Sequence, residues 1–184
     1  MLGGSDGSTA SSGACARLSE PNTATRDVVT GQIYCRFTGA SNLTAAVWEV
    51  CGVMLAMDMA IEYVAALGQR LEITFYGDNI RVMEFMLWSD GVTSAQQAGA
   101  GHLAPLLVLA ARRREFLRSS GHIVVFAVPG RGRRASVVQA CDAIMWRHRR
   151  GHPRRTDPVP QEFSPEISNA LQQVRQSLSA ECFI

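Results

Sequence analysis

Lysine is absent from this 184-residue chain, so all 18 of its basic side chains other than histidine are arginine. Arginine grips oxyanions through a planar fork and does not shuttle a proton near neutral pH. The five cysteines, Cys15, Cys35, Cys51, Cys141 and Cys182, are odd in number and form no C-x-x-C pair. That excludes a zinc ribbon and a disulfide framework, and leaves reduced, packed thiols of an intracellular, cytoplasmic or nuclear protein. No run of about 18 uninterrupted apolar residues occurs, so no membrane partner is expected. The opening Met1-Leu2-Gly3-Gly4-Ser5-Asp6 has neither the basic flank nor the apolar run of a secretory signal.

What is present is unevenly placed. Residues 1–111 hold 5 arginines against 10 acids, whereas residues 112–155 hold 12 arginines against 2 acids, Glu115 and Asp142. Residues 156–184 return to 1 arginine against 4 acids. All four histidines lie in or just ahead of the basic block. Clustered guanidinium groups suit a polyanion such as nucleic acid, the alternative being a plain solvated surface.

Turn signals and periodicity predict alternating strands and helices. A short strand ends at Asp6-Gly7-Ser8. Strands over Ala14–Leu18 and Val28–Phe37 follow as an antiparallel meander. A long helix spans Leu43–Leu67, closed by Gly68. Next come a strand over Leu71–Tyr76, a helix over Asn79–Trp88 and a loose loop to Gly101. Pro105 opens a helix running to Ser119. The apolar run His122–Val128 reads as a strand buried on both faces, and Ala135–Arg149 as the last core helix. The expected fold is α/β, a five-stranded mixed sheet flanked by helices. Residues 1–150 form the domain, 151–163 a linker and 164–184 an amphipathic helix opened by Ser164-Pro165-Glu166.

Three acids draw attention. Asp6 and Asp78 each end a strand, and ligands gather at the carboxyl edge of an α/β sheet. Each also has a plain reading, Asp6-Gly7 as a turn and Asp78 as the cap of the helix beginning at Asn79. Glu49 is the only charge on a helix face otherwise made of Ala45, Ala46, Val53, Ala56, Ala60, Tyr63 and Leu67. A carboxylate aimed at a core needs a cation or hydrogen bonds. The alternative is a rim position favoured by the helix dipole. Asp58 and Glu62 fall on the opposite side, where solvent is expected.

The ordered set of segments resembles ribonuclease H, particularly the divergent versions found in retroelements and as stand-alone domains. Asp6-Gly7-Ser8 matches the family's opening D-G-S, with Gly13-Ala14 following. Gly39-Ala40-Ser41-Asn42-Leu43-Thr44-Ala45 resembles the approach to its acid-bearing helix, and Ile73-Thr74-Phe75-Tyr76-Gly77-Asp78-Asn79 its second aspartate strand. Val125-Phe126-Ala127-Val128-Pro129-Gly130 resembles its late strand, and Ala140-Cys141-Asp142-Ala143 the start of its last helix. The resemblance covers residues 1 to about 150.

It implies that Asp6, Glu49, Asp78 and Asp142 hold two Mg²⁺ ions about 4 Å apart, Mn²⁺ being the alternative, and hydrolyse the RNA strand of RNA–DNA hybrids. It also implies nucleic-acid contacts from Ser8, Asn42, Asn79, Arg131, Arg133 and Arg134. The sequence departs from the pattern at several points, in a longer helix before Gly68 and a longer Pro129–Asp142 stretch without its usual Asn among them, and two bear directly on the site. The family's helix acid falls on Ala46, with Glu49 one turn later on the same face. The loop from Gly130 to Arg134 carries arginines where many members carry a histidine. The alternative is an inactive module of the same fold that binds nucleic acid or protein. With only five residues ahead of Asp6, the chain is expected to be a piece of a longer protein, such as a polyprotein.

Overall fold

The computed structural model describes residues 1–20, 28–38, 43–88, 90–128 and 133–181, the side chains of 133–136 and of 181 excepted. Among these residues six strands form one mixed sheet: β1 (Leu2–Ser8), β2 (Gly13–Glu20), β3 (Val28–Arg36), β4 (Glu72–Tyr76), β5 (Ile123–Ala127) and β6 (Gln161–Glu162). Their order is β5-β4-β1-β2-β3-β6. β1, β2 and β3 make the antiparallel meander, while β4 and β5 continue the sheet in parallel from the other side of β1. The sixth strand corrects the five-stranded expectation. β6 lies within the stretch read as a linker and pairs in parallel with β3, so the edge of β3 is partly covered rather than open.

Among the described residues six α-helices flank the sheet: α1 (Ala45–Leu67), α2 (Ile80–Leu87), α3 (Gly91–Gln97), α4 (Ala104–Ser119), α5 (Arg133–Arg149) and α6 (Pro165–Glu181). α1 packs on β1 and β2, with α4 and then α6 beyond it, while α5 also packs on β1 and β2. The two packings use opposite faces. A side-chain carbon on Gly7 would strike α1, whereas one on Gly4 would strike Val137 of α5, and successive strand residues face apart when their number differs by an odd count.

α1 is long and apolar enough, by length and composition, to cross a bilayer. In this fold it is the core helix, with Val47, Val50, Cys51, Val53, Met54 and Met57 fully buried. Gly68 ends it at a φ of 64°, where a side chain would be strained.

Three local expectations change. α3 occupies part of the stretch read as loop. Asp58 faces solvent only in part: α4 lies against that side, and Arg113 Nε donates to Asp58 Oδ1 at 2.6 Å. β5 is an edge strand with Ile123 62% exposed, so its continuous apolar run does not signal burial on both faces. Of the cysteines, Cys15, Cys35, Cys51 and Cys141 are buried and unpaired. Cys182 lies outside the described residues.

Candidate metal centre

The register of the sheet sets the site. Gly4 of β1 pairs with Tyr76 of β4 in parallel, so Asp6 and Asp78, each two residues further on, emerge level at the same carboxyl edge. Asp6 is within β1 rather than in a turn. Asp78 is not the cap of α2. Asn79 takes that place, its Oδ1 accepting from Val82 N–H at 3.2 Å. With the cap supplied by its neighbour, Asp78 stays exposed and turned to the cluster.

Glu49 approaches from α1. It sits in the helix's second turn, 5% exposed, and one oxygen from each of Asp6, Glu49 and Asp78 lies within 4.8 Å of the others. Close approach of α1 to β1 makes this meeting geometrically available. At Gly7 a Cβ would stand 2.2 Å from the Trp48 carbonyl carbon and 2.4 Å from the Glu49 nitrogen, distances no side chain tolerates. Gly7 therefore lets the helix seat, and its N–H also donates to Asp6 Oδ1 at 2.9 Å and to Glu49 Oε1 at 3.3 Å. Sequence reasoning missed that donor. Its signal was the Gly after Asp6, visible but equally suited to a turn.

The electrostatics are those of acids without a counter-charge. Burial, then the charges of Asp78 and Asp6, push the Glu49 carboxyl up to about 9. Burial, then Asp78 and Asp142, push Asp6 up to about 7. Glu49 Oε2 is buried with no hydrogen-bond partner. A buried acceptor left unpaired costs about 1–3 kcal/mol, and among the described residues no basic side chain offsets the charge of either carboxyl. An oxygen-only donor set of this kind fits a hard divalent cation.

The other expected residues are placed as follows. Asp142 lies on α5, exposed and outside the trio, though its charge reaches Asp6. Ser8 ends β1, its carbonyl accepting from Ser11 Oγ at 3.5 Å. Asn79 has its side-chain oxygen committed to the helix cap. Asn42, Arg131 and the side chains of Arg133 and Arg134 lie outside the described residues. Arg112–Arg114, the start of the basic block, is only in part a free basic surface: Arg112 is exposed beside Glu166, but its two neighbours are engaged. Arg113 bridges Asp58 and Glu166, and buried Arg114 donates to the Met86 and Trp88 carbonyls at 2.7 and 2.6 Å.

No family model and no curated protein matches the chain. Among solved structures it is similar to the N-terminal ribonuclease H domain of a Mycobacterium tuberculosis protein, determined as a fusion with maltose-binding protein. That match has 16% identity and a TM-score of 0.48, and covers 79% of this chain and 99% of the other. It is also similar to ribonuclease H1 from the halophilic archaeon Halobacterium salinarum, at 14% identity and a TM-score of 0.43, over 76% of this chain and 92% of that one. Its own strand order, an antiparallel meander extended in parallel through helices and flanked on both faces, gives the chain a ribonuclease H-like α/β fold.

Proposed function

We propose that the chain is a metal-dependent phosphodiester hydrolase that cuts the RNA strand of RNA–DNA hybrids at Asp6, Glu49 and Asp78. One observation carries the reading: three acids distant in sequence bring oxygens within 4.8 Å of one another, and the most buried of them keeps an oxygen with no partner. Structural acids are normally met by a cation or donors. These meet each other.

Asp6, Glu49 and Asp78 would hold the metal, with Asp142 as a fourth, outer carboxylate. Bound divalent ions such as Mg²⁺ supply a Lewis acid for a phosphoryl oxygen and lower the pKa of water. The chain's own contribution is positioning. Gly7 N–H fixes Asp6 and Glu49, and the α2 cap at Asn79 frees Asp78. Asp6 and Glu49 must lose their protons to act as ligands, so metal uptake and activity rise with pH through the range in which they ionise. Arg131, Arg133 and Arg134, around the start of α5, supply guanidinium groups to substrate phosphates in this reading.

The test is hydrolysis of an end-labelled RNA–DNA hybrid in Mg²⁺ by the wild type and by Asp78→Asn. Cleavage by the wild type, lost in the variant, is expected. An inert wild type that still binds the hybrid would replace this reading with that of a silent binding module.

A further inference from the structure

On the α5 face of the sheet, set back along β2 from the carboxyl edge where the acids meet, α5, β2, β3 and the turn at residues 154–157 line a cleft of about 630 Å³. Arg17, Arg147 and Arg154 line it, with Thr30, Gln32 and Thr156 between them. Only one of these cations has an acid. Arg147 Nε donates to Asp157 Oδ2 at 2.7 Å and its Nη2 donates to Oδ1. Arg17 and Arg154 have no ion-pair partner among the described residues. Arg17 is half-buried on its strand and opens onto the cleft.

The cleft is also built in advance. Asp157, its side chain 4% exposed, accepts from Arg154 N–H at 2.8 Å while holding Arg147, and the turn closes through Asp157 N–H to Arg154 O at 3.0 Å. Gln32 Nε2 donates to Thr156 O and pins the same turn to β3. The segment carrying Arg154 and Thr156 is thus tied to both walls, so little ordering remains to oppose a ligand.

The position relates the cleft to the acids. Asp6 pairs with Cys15 across the strands, and Arg17 is two residues on, on the same face, a displacement along the strand of roughly 7 Å. α5 runs between them, with Asp142 on one flank and Ala140, Ala143 and Arg147 on the other. Guanidinium forks with hydroxyl and amide groups between them fit phosphate oxygens.

We infer that this cleft is a second phosphate-binding site, which seats the backbone of a nucleic-acid strand outside the cleavage site. It rests on the reading of the chain as a nucleic-acid enzyme, but its test does not require cleavage. Binding of a fluorescein-labelled hybrid is measured by anisotropy between about 50 and 200 mM NaCl, in the Asp78→Asn background so that no turnover intervenes. Arg17→Gln with Arg154→Gln should lower affinity roughly tenfold near 100 mM salt. It should also reduce the slope of log K against log salt by about 1.5, the share of two neutralised phosphates.

Arg154→Glu alone, on the exposed turn, should act in the same direction and keeps the test open if the double variant does not fold. Arg17→Lys with Arg154→Lys should restore part of the slope. An unchanged slope in folded variants overturns the inference. So does a site that binds inorganic phosphate, seen as NMR shifts of the arginine side chains that vanish in the double variant, without any effect on the strand. A reduced slope in a chain that never cleaves the hybrid upholds the cleft and sinks the hydrolase.

Discussion

Among the described residues, Asp6 and Glu49 of the carboxylate cluster and the Asp157 side chain are all buried, and the two places are treated in opposite ways. Asp157, between α5 and β6, meets Arg147 side by side and a backbone N–H as well. Arg147 lowers its carboxyl below the usual range. Asp6 and Glu49 meet chiefly one another and Asp78, and are raised well above that range by burial and mutual repulsion. The first arrangement is matched within the fold and contributes stability. The second is unmatched, and an acid cluster that opposes folding is intelligible when something outside the chain completes it.

The largest expected effect tests that completion. Asp78→Asn should lower hybrid cleavage on the order of 10³-fold, since a metal contact is worth several kcal/mol and each 1.36 kcal/mol is tenfold. Glu49→Gln should lose activity comparably while melting higher than the wild type without metal at pH 8, because the buried Glu49 carboxyl, held up to about 9, has to take up a proton to fold at that pH and the amide does not. A Glu49→Gln variant that is inactive and less stable would mean that Glu49 is matched after all, and the contrast with Asp157 would fail.

Next in size is a contact that joins the two regions. Phe163, just after β6, stacks on Trp48 with ring centroids 6.4 Å apart, and Trp48 precedes Glu49 on α1. Both rings are buried. Phe163→Ala should cost about 3 kcal/mol, read by urea denaturation. If the contact also seats α1 against β1, cleavage should fall beyond what the lost folded fraction explains, and Phe163→Leu should restore most of it.

The titration of the cluster follows. Asp6 and Glu49 have folded pKa values raised above their unfolded ones, so the folded state binds more protons from about pH 4 upward, and stability declines as pH rises. The decline levels off once pH passes about 9, the upper of the two values. The two groups share their charge interaction, so the loss is smaller than the sum of their separate shifts, and it is read as a fall in Tm with rising pH. Thermal melts of metal-free protein at pH 5 and pH 8 should show the higher Tm at pH 5. Mg²⁺ should raise Tm more at pH 8, where ligands and protons no longer compete. Equal responses to Mg²⁺ at both pH values would disconnect the acids from the metal.

Much of this was legible in the sequence because it is written in local signals. Glu49 stood out as the one charge on an apolar helical stripe, and the three acids that meet each sit where a strand ends or a helix begins. What escaped depended on partners far along the chain. Asp58 looked solvent-facing since its cation, Arg113, is 55 residues away. β5 looked buried on both faces because an apolar run cannot tell where a sheet stops. β6 has two residues, too few for any periodicity, and α3 has a polar, glycine-led sequence with no apolar stripe. The arginines of the cleft were visible as part of a basic block. That Arg17, outside that block, joins them follows from strand register alone.

The smallest expected effect bears on the matched acid. Asp157→Asn leaves Arg147 largely buried with a neutral neighbour and weakens the clasp on the 154–157 turn. The expected cost is about 1.5 kcal/mol, the lower end for a charged hydrogen bond because Arg147 keeps some solvent. Its pH signature opposes that of the cluster. A carboxyl whose folded pKa is depressed contributes stability above its unfolded value, near 4, and loses it as pH falls through the folded value. Wild type and Asp157→Asn should therefore differ in urea midpoint at pH 7 and converge on acidification below about pH 4, whereas wild type and Glu49→Gln should converge near pH 4 and separate as pH rises. Were the Asp157 difference to grow on acidification instead, the carboxylate would not be stabilised by Arg147, and the clasp that preorganises Arg154 and Thr156 would have to come from Gln32 alone.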